Sequence, residues 1–319
     1  MAGSIGGARP GLAGKLFTAV ALALFAGFGG VAPAATTGGA FTPAAAPPPP
    51  GSPTGAPAAD GPSAGTLSVT SATTSPRKSF YYGVRYPRLS YTIASTQPQN
   101  DLRIDVVDSA GAVVRSFYRN DIAPNVPNTI RWDGTAVDGR PARNGKYTFR
   151  IGTQTAARVA RPALPSTAPA PLNLGFALYG YAFPLLGDQD FGGAGAGFGA
   201  GRSGHTHQGH DVMAACGIPV VAARGGTIQY SGYQGAAGNY VVIDGKGTGL
   251  DTAYMHLAVP SPLKTGDPVR TGQPIGIVGD TGDATACHLH FELWLAPGWY
   301  EGGSPIDPLP YLLKWDLYS

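Results

Sequence analysis

All six histidines of this 319-residue chain lie between His205 and His290. Histidine is the commonest protein ligand for transition metals and the usual general base near neutral pH, so the clustering calls for a chemical reason. Spacing inside the cluster is specific. His207 and Asp211 form an H-x-x-x-D pair, His288 and His290 form an H-x-H pair, and His256 stands alone in Tyr254-Met255-His256-Leu257. On a strand, residues i and i+2 share a face, so His288 and His290 aim at one place while Leu289 packs behind them. Gly209 predicts a tight loop between His207 and Asp211 that enters a strand. Two histidines and one carboxylate suit zinc and leave a fourth position open, the catalytic arrangement; a structural zinc would want four protein ligands with several thiolates. Hydrolysis of an amide also needs a base and an oxyanion donor, roles for which His256 and His288 are available.

Strands have to position these groups. The runs 219–223, 227–230, 239–244, 251–257, 274–278 and 288–294 are strand-like and separated by glycines, so a β-rich module is expected over 173–319. Residues 191–204 are nearly all Gly and Ala, with Phe198 and Arg202, and predict a mobile loop leading to His207 that either contacts substrate or is merely solvated. Tyr240, Tyr254 and Trp294 are candidates for lining a groove, although strand aromatics more often build core.

Upstream, residues 66–155 read as a small antiparallel sandwich. Leu102, Ile104 and Val106 alternate with Arg103 and Asp105, and Asp133-Gly134, Asp138-Gly139 and Asn144-Gly145 mark turns. Ala/Pro-rich linkers are expected over 35–65 and 156–172. Arg9 and Lys15 precede an apolar run over 16–28, and Ala32-Pro33-Ala34 has the small-x-small pattern of a cleavage site, which predicts a signal peptide over 1–34. The run falls short of the roughly 20 residues that an uncleaved membrane anchor would need. The expected location is secreted, either extracellular or attached to the cell wall.

The formal charge of +3 includes Arg9 and Lys15, so the remainder is nearly neutral, which argues against a nucleic-acid binder held by phosphate contacts. An exported chain with two cysteines allows one pairing, Cys216 with Cys287. A cysteine zinc ligand is the competing idea, but adjacent strand residues face opposite sides, so Cys287 would point away from the H-x-H pair.

The motifs His207-x-Gly209-x-Asp211, Tyr254-Met255-His256-Leu257 and His288-Leu289-His290-Phe291-Glu292 resemble those of the LytM/lysostaphin-type zinc metallopeptidases over about 205–295. The segments 217–223, 238–243 and 272–276 fall in the family's order. The resemblance implies zinc ligands His207, Asp211 and His290, catalytic His256 and His288, and zinc-activated water attack on peptide bonds of bacterial peptidoglycan. It leaves the division of labour between His256 and His288 open. His210 replaces a usually apolar residue and His205 is extra; the expectation for His210 is a supporting or surface role. Separately, Ile130-Arg131-Trp132-Asp133-Gly134 with the turns after it resembles the immunoglobulin-like domain of flagellar hook-capping proteins. That module is a candidate site for a regulatory protein partner. The alternative function is a non-catalytic cell-wall binding or activator protein retaining the metal site, and a third reading is a purely structural zinc.

Overall fold

The computed structural model describes residues 66–154 and 172–319; the expected signal peptide and both linkers lie essentially outside these residues. Among the described residues no helix is long and apolar enough to cross a membrane.

The first domain is a sandwich of two sheets. Its strands are β1 (Leu67–Ser75), β2 (Lys78–Phe80), β3 (Arg88–Ser95), β4 (Asn100–Asp108), β5 (Val113–Ile122), β6 (Asn128–Arg131), β7 (Gly145–Thr153) and β8 (Gly175–Tyr179). One sheet has the order β1-β3-β6 and the other β2-β8-β7-β4-β5. All pairs are antiparallel except β2 with β8. The alternation in β4 holds: Leu102, Ile104 and Val106 are fully buried between the sheets, with Trp132, Phe149 and Phe176. On the outer face Asp105 accepts hydrogen bonds from Arg103, Arg150 and Ser116. Asp133 and Asp138 each close a predicted turn by accepting backbone N–H groups, and Asp108 closes another in the same way. One element falls elsewhere than expected. Gly175–Tyr179, read as the start of the second module, completes the sandwich between β7 and β2.

The second domain contains β9 (Gln189–Asp190), β10 (Gly201–Arg202), β11 (His205–Thr206), β12 (His210–Ala214), β13 (Pro219–Val221), β14 (Gly226–Gln234), β15 (Gly238–Gly245), β16 (Leu250–Leu257), β17 (Pro268–Val269), β18 (Pro274–Ile277), β19 (His288–Leu295), β20 (Pro305–Ile306) and α1 (Leu309–Asp316). Its main sheet has the order β17-β14-β15-β16-β19-β12-β9, with β20 beside β19. β13 and β18 form a second, two-stranded sheet. Strand β19 shows how one sequence serves two faces: Leu289, Phe291 and Leu293 are fully buried in the core, whereas His288, His290 and Glu292 share the other face. The helix α1 closes the core with Leu312 and Trp315, the latter stacked on Tyr181.

Cys216 and Cys287 form the disulfide, which joins the loop after β12 to the residue preceding β19. The bridge spans 71 residues of sequence. Replacing both cysteines by serine should lower stability by up to about 4 kcal/mol in the chain-entropy model. Denaturant unfolding of the double variant against the oxidised parent measures it; an unchanged midpoint would show that the bridge adds nothing.

Candidate metal centre and active site

Register brings the histidines together. β12 and β16 flank β19, with Asp211 directly opposite His290 and Met255 opposite it on the other side. His207 sits in the loop before β12. Its Nε2 lies 3.0 Å from Asp211 Oδ1 and 2.8 Å from His290 Nδ1, and His290 Nδ1 lies 2.9 Å from the same carboxylate oxygen. One ligand atom from each of His207, Asp211 and His290 therefore converges on one point.

The partners of these residues decide what that point can hold. His207 Nδ1 donates to the Gly197 carbonyl at 2.8 Å, and His290 Nε2 donates to Glu292 Oε1 at 3.0 Å. Both outward nitrogens thus carry the protons, and the two inward ones face each other as lone pairs beside a carboxylate. A cation resolves that arrangement, and a second group that fixes the imidazole tautomer is the usual support of a metal-bound histidine. The donor set fits a metal ion. Burial alone would depress His290, but Asp211 and Glu292 lift it to about 9. Burial would likewise raise Asp211, yet the His207 and His290 imidazoles beside it hold it far below the usual carboxylate range.

Two further imidazoles border the triad. His288 Nδ1 donates to the Ala286 carbonyl at 2.8 Å, and its Nε2 lies 3.6 Å from Asp211 Oδ1. His256 Nδ1 donates to the Thr281 carbonyl at 2.8 Å, and its ring centroid is 4.6 Å from that of His288. Among the described residues neither Nε2 makes a hydrogen bond, so both are available for chemistry. His256 owes its aim to an irregularity: β16 has one extra residue against β15 here, and His256 itself has φ of +62°. A bulge of this kind re-aims a side chain next to a functional site. Burial pulls the His256 pKa down to about 4, so its imidazole is neutral across the physiological range.

Three further residues support the centre. Glu292, 3% exposed, accepts from His290 through Oε1 and from the indoles of Trp294 (2.8 Å) and Trp299 (3.2 Å) through Oε2. Arg202 donates to Asp211 Oδ2 at 3.0 Å, leaving Oδ1 to the inward side. Gly209 leaves room: a Cβ there would stand 2.4 Å from the Phe291 carbonyl oxygen and 2.8 Å from His290 Nε2. The Gly-rich segment makes hydrogen bonds from His207 N to Ala200 O, Gly199 N to His207 O and Arg202 to Gly195 O.

The other candidates fall outside the cluster. His210 is 2% exposed, on the opposite face from Asp211, and its Nε2 pairs with the Phe191 carbonyl; a surface role is excluded because that face of β12 packs into the core. His205 is exposed in the β10–β11 hairpin. Tyr254 is core, donating to Thr252 Oγ1 and accepting from Ala223 N. Trp294 belongs to the Glu292 clamp, and Tyr240 is covered by Tyr230 and Trp299.

A three-ligand metal centre bordered by two oriented imidazoles on an antiparallel sheet defines a metallohydrolase type of site. Residues 205–308 match the model of Peptidase family M23, and residues 87–157 that of the FlgD Ig-like domain. The chain thus carries a LytM/lysostaphin-type M23 metallopeptidase domain next to an immunoglobulin-like one. The peptidoglycan DD-endopeptidase ShyC of Vibrio cholerae is 43% identical over 87 residues, 27% of this chain and 20% of that protein. The DD-carboxypeptidase/endopeptidase Mpg of Neisseria meningitidis is 37% identical over 107 residues, 34% of this chain and 23% of that protein. The chain thus spans only about a fifth of the length of these curated relatives. Among solved structures, the catalytic domain of lysostaphin from Staphylococcus simulans is 34% identical, covering 37% of this chain and 89% of that one, with a TM-score of 0.34.

Proposed function

We propose that the protein is a secreted zinc endopeptidase that hydrolyses peptide bonds of bacterial peptidoglycan. The observation that carries this reading is the paired lone-pair nitrogens of His207 and His290 beside Asp211, with two free imidazole nitrogens next to them. All five residues that the family resemblance singles out are present, and relatives of the peptidase domain include one named a peptidoglycan DD-endopeptidase and one named a DD-carboxypeptidase/endopeptidase. The N-terminal pattern supports export.

His207, Asp211 and His290 would hold the zinc ion, which when bound supplies Lewis-acid polarisation of the scissile carbonyl and a lowered pKa for water. The chain does the rest. His288 and His256 have their Nδ1 protons committed to carbonyls, so each presents Nε2 to the reacting groups. One takes the proton of the attacking water on Nε2, and the other, as an imidazolium carrying a second proton on Nε2, donates to the oxyanion that forms at the scissile carbonyl. Asp211, anchored by Arg202, keeps its geometry throughout.

Purified peptidoglycan incubated with the zinc-loaded protein should release fragments with new peptide termini, identified by mass spectrometry. Removing zinc with a chelator should abolish them and re-addition restore them. Wall binding by the zinc-loaded protein without new termini would overturn the enzyme reading and leave a binding or activator protein.

A further inference from the structure

The two domains carry opposite charge. Residues 66–154 hold twelve Lys and Arg against six Asp, a formal +6; residues 172–319 hold six Lys and Arg against twelve Asp and Glu, a formal −6. Simple complementarity would set acidic groups of the peptidase domain against the sandwich. The junction is built the other way. Three of the peptidase domain's six cations, Arg224, Lys246 and Arg270, lie at it, each beside a tyrosine of the sandwich.

Arg224 has a structural explanation. It is 2% exposed, sits 4.3 Å over the Tyr81 ring and donates to the Gly180 and Lys246 carbonyls. The others are gathered around two rings nearer the surface. Lys246 lies 4.7 Å and Arg270 4.4 Å from the Tyr82 ring, and Arg270 also donates to the Tyr86 hydroxyl. Arg131 lies 5.1 Å over Tyr86. Arg88 is the direct cross-strand partner of Arg131, and both are exposed. Like charges directly opposite on a sheet are destabilising. Among the described residues no carboxylate makes an ion pair with any of these four cations. Four cations from two domains, three of them on aromatic faces and none with a neutralising acid among the described residues, offer a receptor that an anion would complete.

The junction is also fixed. Thr271, fully buried, donates to the Tyr81 carbonyl through Oγ1 and to the Tyr82 carbonyl through its N–H. Lys246 follows the end of β15 remote from Gly238, and Gly238 adjoins Ala237, whose carbonyl accepts the His256 N–H. Eight residues of strand span roughly 25 Å. A ligand that reached both the junction and the active site would have to extend over about this length. We propose that Arg88, Arg131, Lys246 and Arg270 form a carboxylate-binding site for the stem peptides of peptidoglycan, remote from the bond being cut. Guanidinium forks match carboxylates geometrically, and the site offsets the repulsion between an acidic peptidase domain and an anionic wall. This rests on the substrate class proposed above.

The test uses the full chain and insoluble peptidoglycan stripped of phosphodiester polymers, sedimented together between about 50 mM and 0.3 M NaCl. The parent should bind in a salt-sensitive manner. Arg88→Glu/Arg131→Glu should bind about tenfold more weakly at the low-salt end and lose most of the salt dependence. Lys246→Glu, from the other domain, should act in the same direction. Each variant should melt with the parent, which reports that the fold is intact, and the zinc-loaded parent should cut a soluble stem peptide. Wall binding equal to the parent in both variants, or parental binding that disappears once phosphodiester polymers are removed, would overturn the junction site. Failure of the zinc-loaded parent to cut the soluble peptide would instead count against the peptidase reading.

Discussion

A His256→Ala variant is expected to keep one metal ion per chain and to lose hydrolysis by about 10²- to 10⁴-fold. His290→Ala should lose the metal and the activity together. The contrast follows from the geometry. His290 Nδ1 stands within 3 Å of both other ligand atoms, whereas His256 meets the cluster only through the His288 and His290 rings, at 4.6 and 5.9 Å between centroids. Its Nδ1 proton is committed to the Thr281 carbonyl, and burial keeps the ring neutral, which is the state a proton acceptor needs. Metal content after gel filtration, measured beside peptide hydrolysis and thermal melting, separates the cases. Loss of metal from His256→Ala would make that residue a ligand and would refute the division of roles. Full activity in the same variant would remove it from the chemistry.

The centre was legible in the sequence to the extent that its logic is local. Alternation in β19 places His288 and His290 on one face, and the glycine between His207 and Asp211 marks the tight entry into β12. The same alternation puts Glu292 on that face, so its position could be read even though its partners could not: Trp299 is seven residues away, in a loop beyond β19. His256 escapes the period-2 rule because the bulge in β16 inserts a residue, and a bulge leaves no mark in a single sequence. Arg202 was visible as the lone cation of the Gly-rich segment, but only the β10–β11 hairpin shows that it reaches Asp211. The capture of Gly175–Tyr179 by the sandwich is non-local as well. Five apolar or small residues after a linker can serve either domain, and the open edge of β7 decides which.

The larger structural consequence falls on Glu292. Its carboxylate, which burial would raise, is held below the usual range by His290 and the two indoles, so it is charged while 3% exposed. Glu292→Gln keeps the volume but removes the charge and one acceptor, and the metal dissociation constant should rise about 10- to 100-fold. Glu292→Ala is harsher. It strands His290 Nε2 and two indole N–H groups, each worth about 1–3 kcal/mol when buried without a partner. Enough stability should be lost for Glu292→Ala to melt well below Glu292→Gln. Metal competition with a chromophoric chelator reads the affinity, and the visible spectrum of the cobalt-substituted protein reads the ligand geometry. A merely structural glutamate would give Glu292→Gln a lower melting temperature with the affinity and spectrum of the parent. A supporting partner of His290 should give the reverse: a fold close to the parent's, with a weakened and distorted metal site.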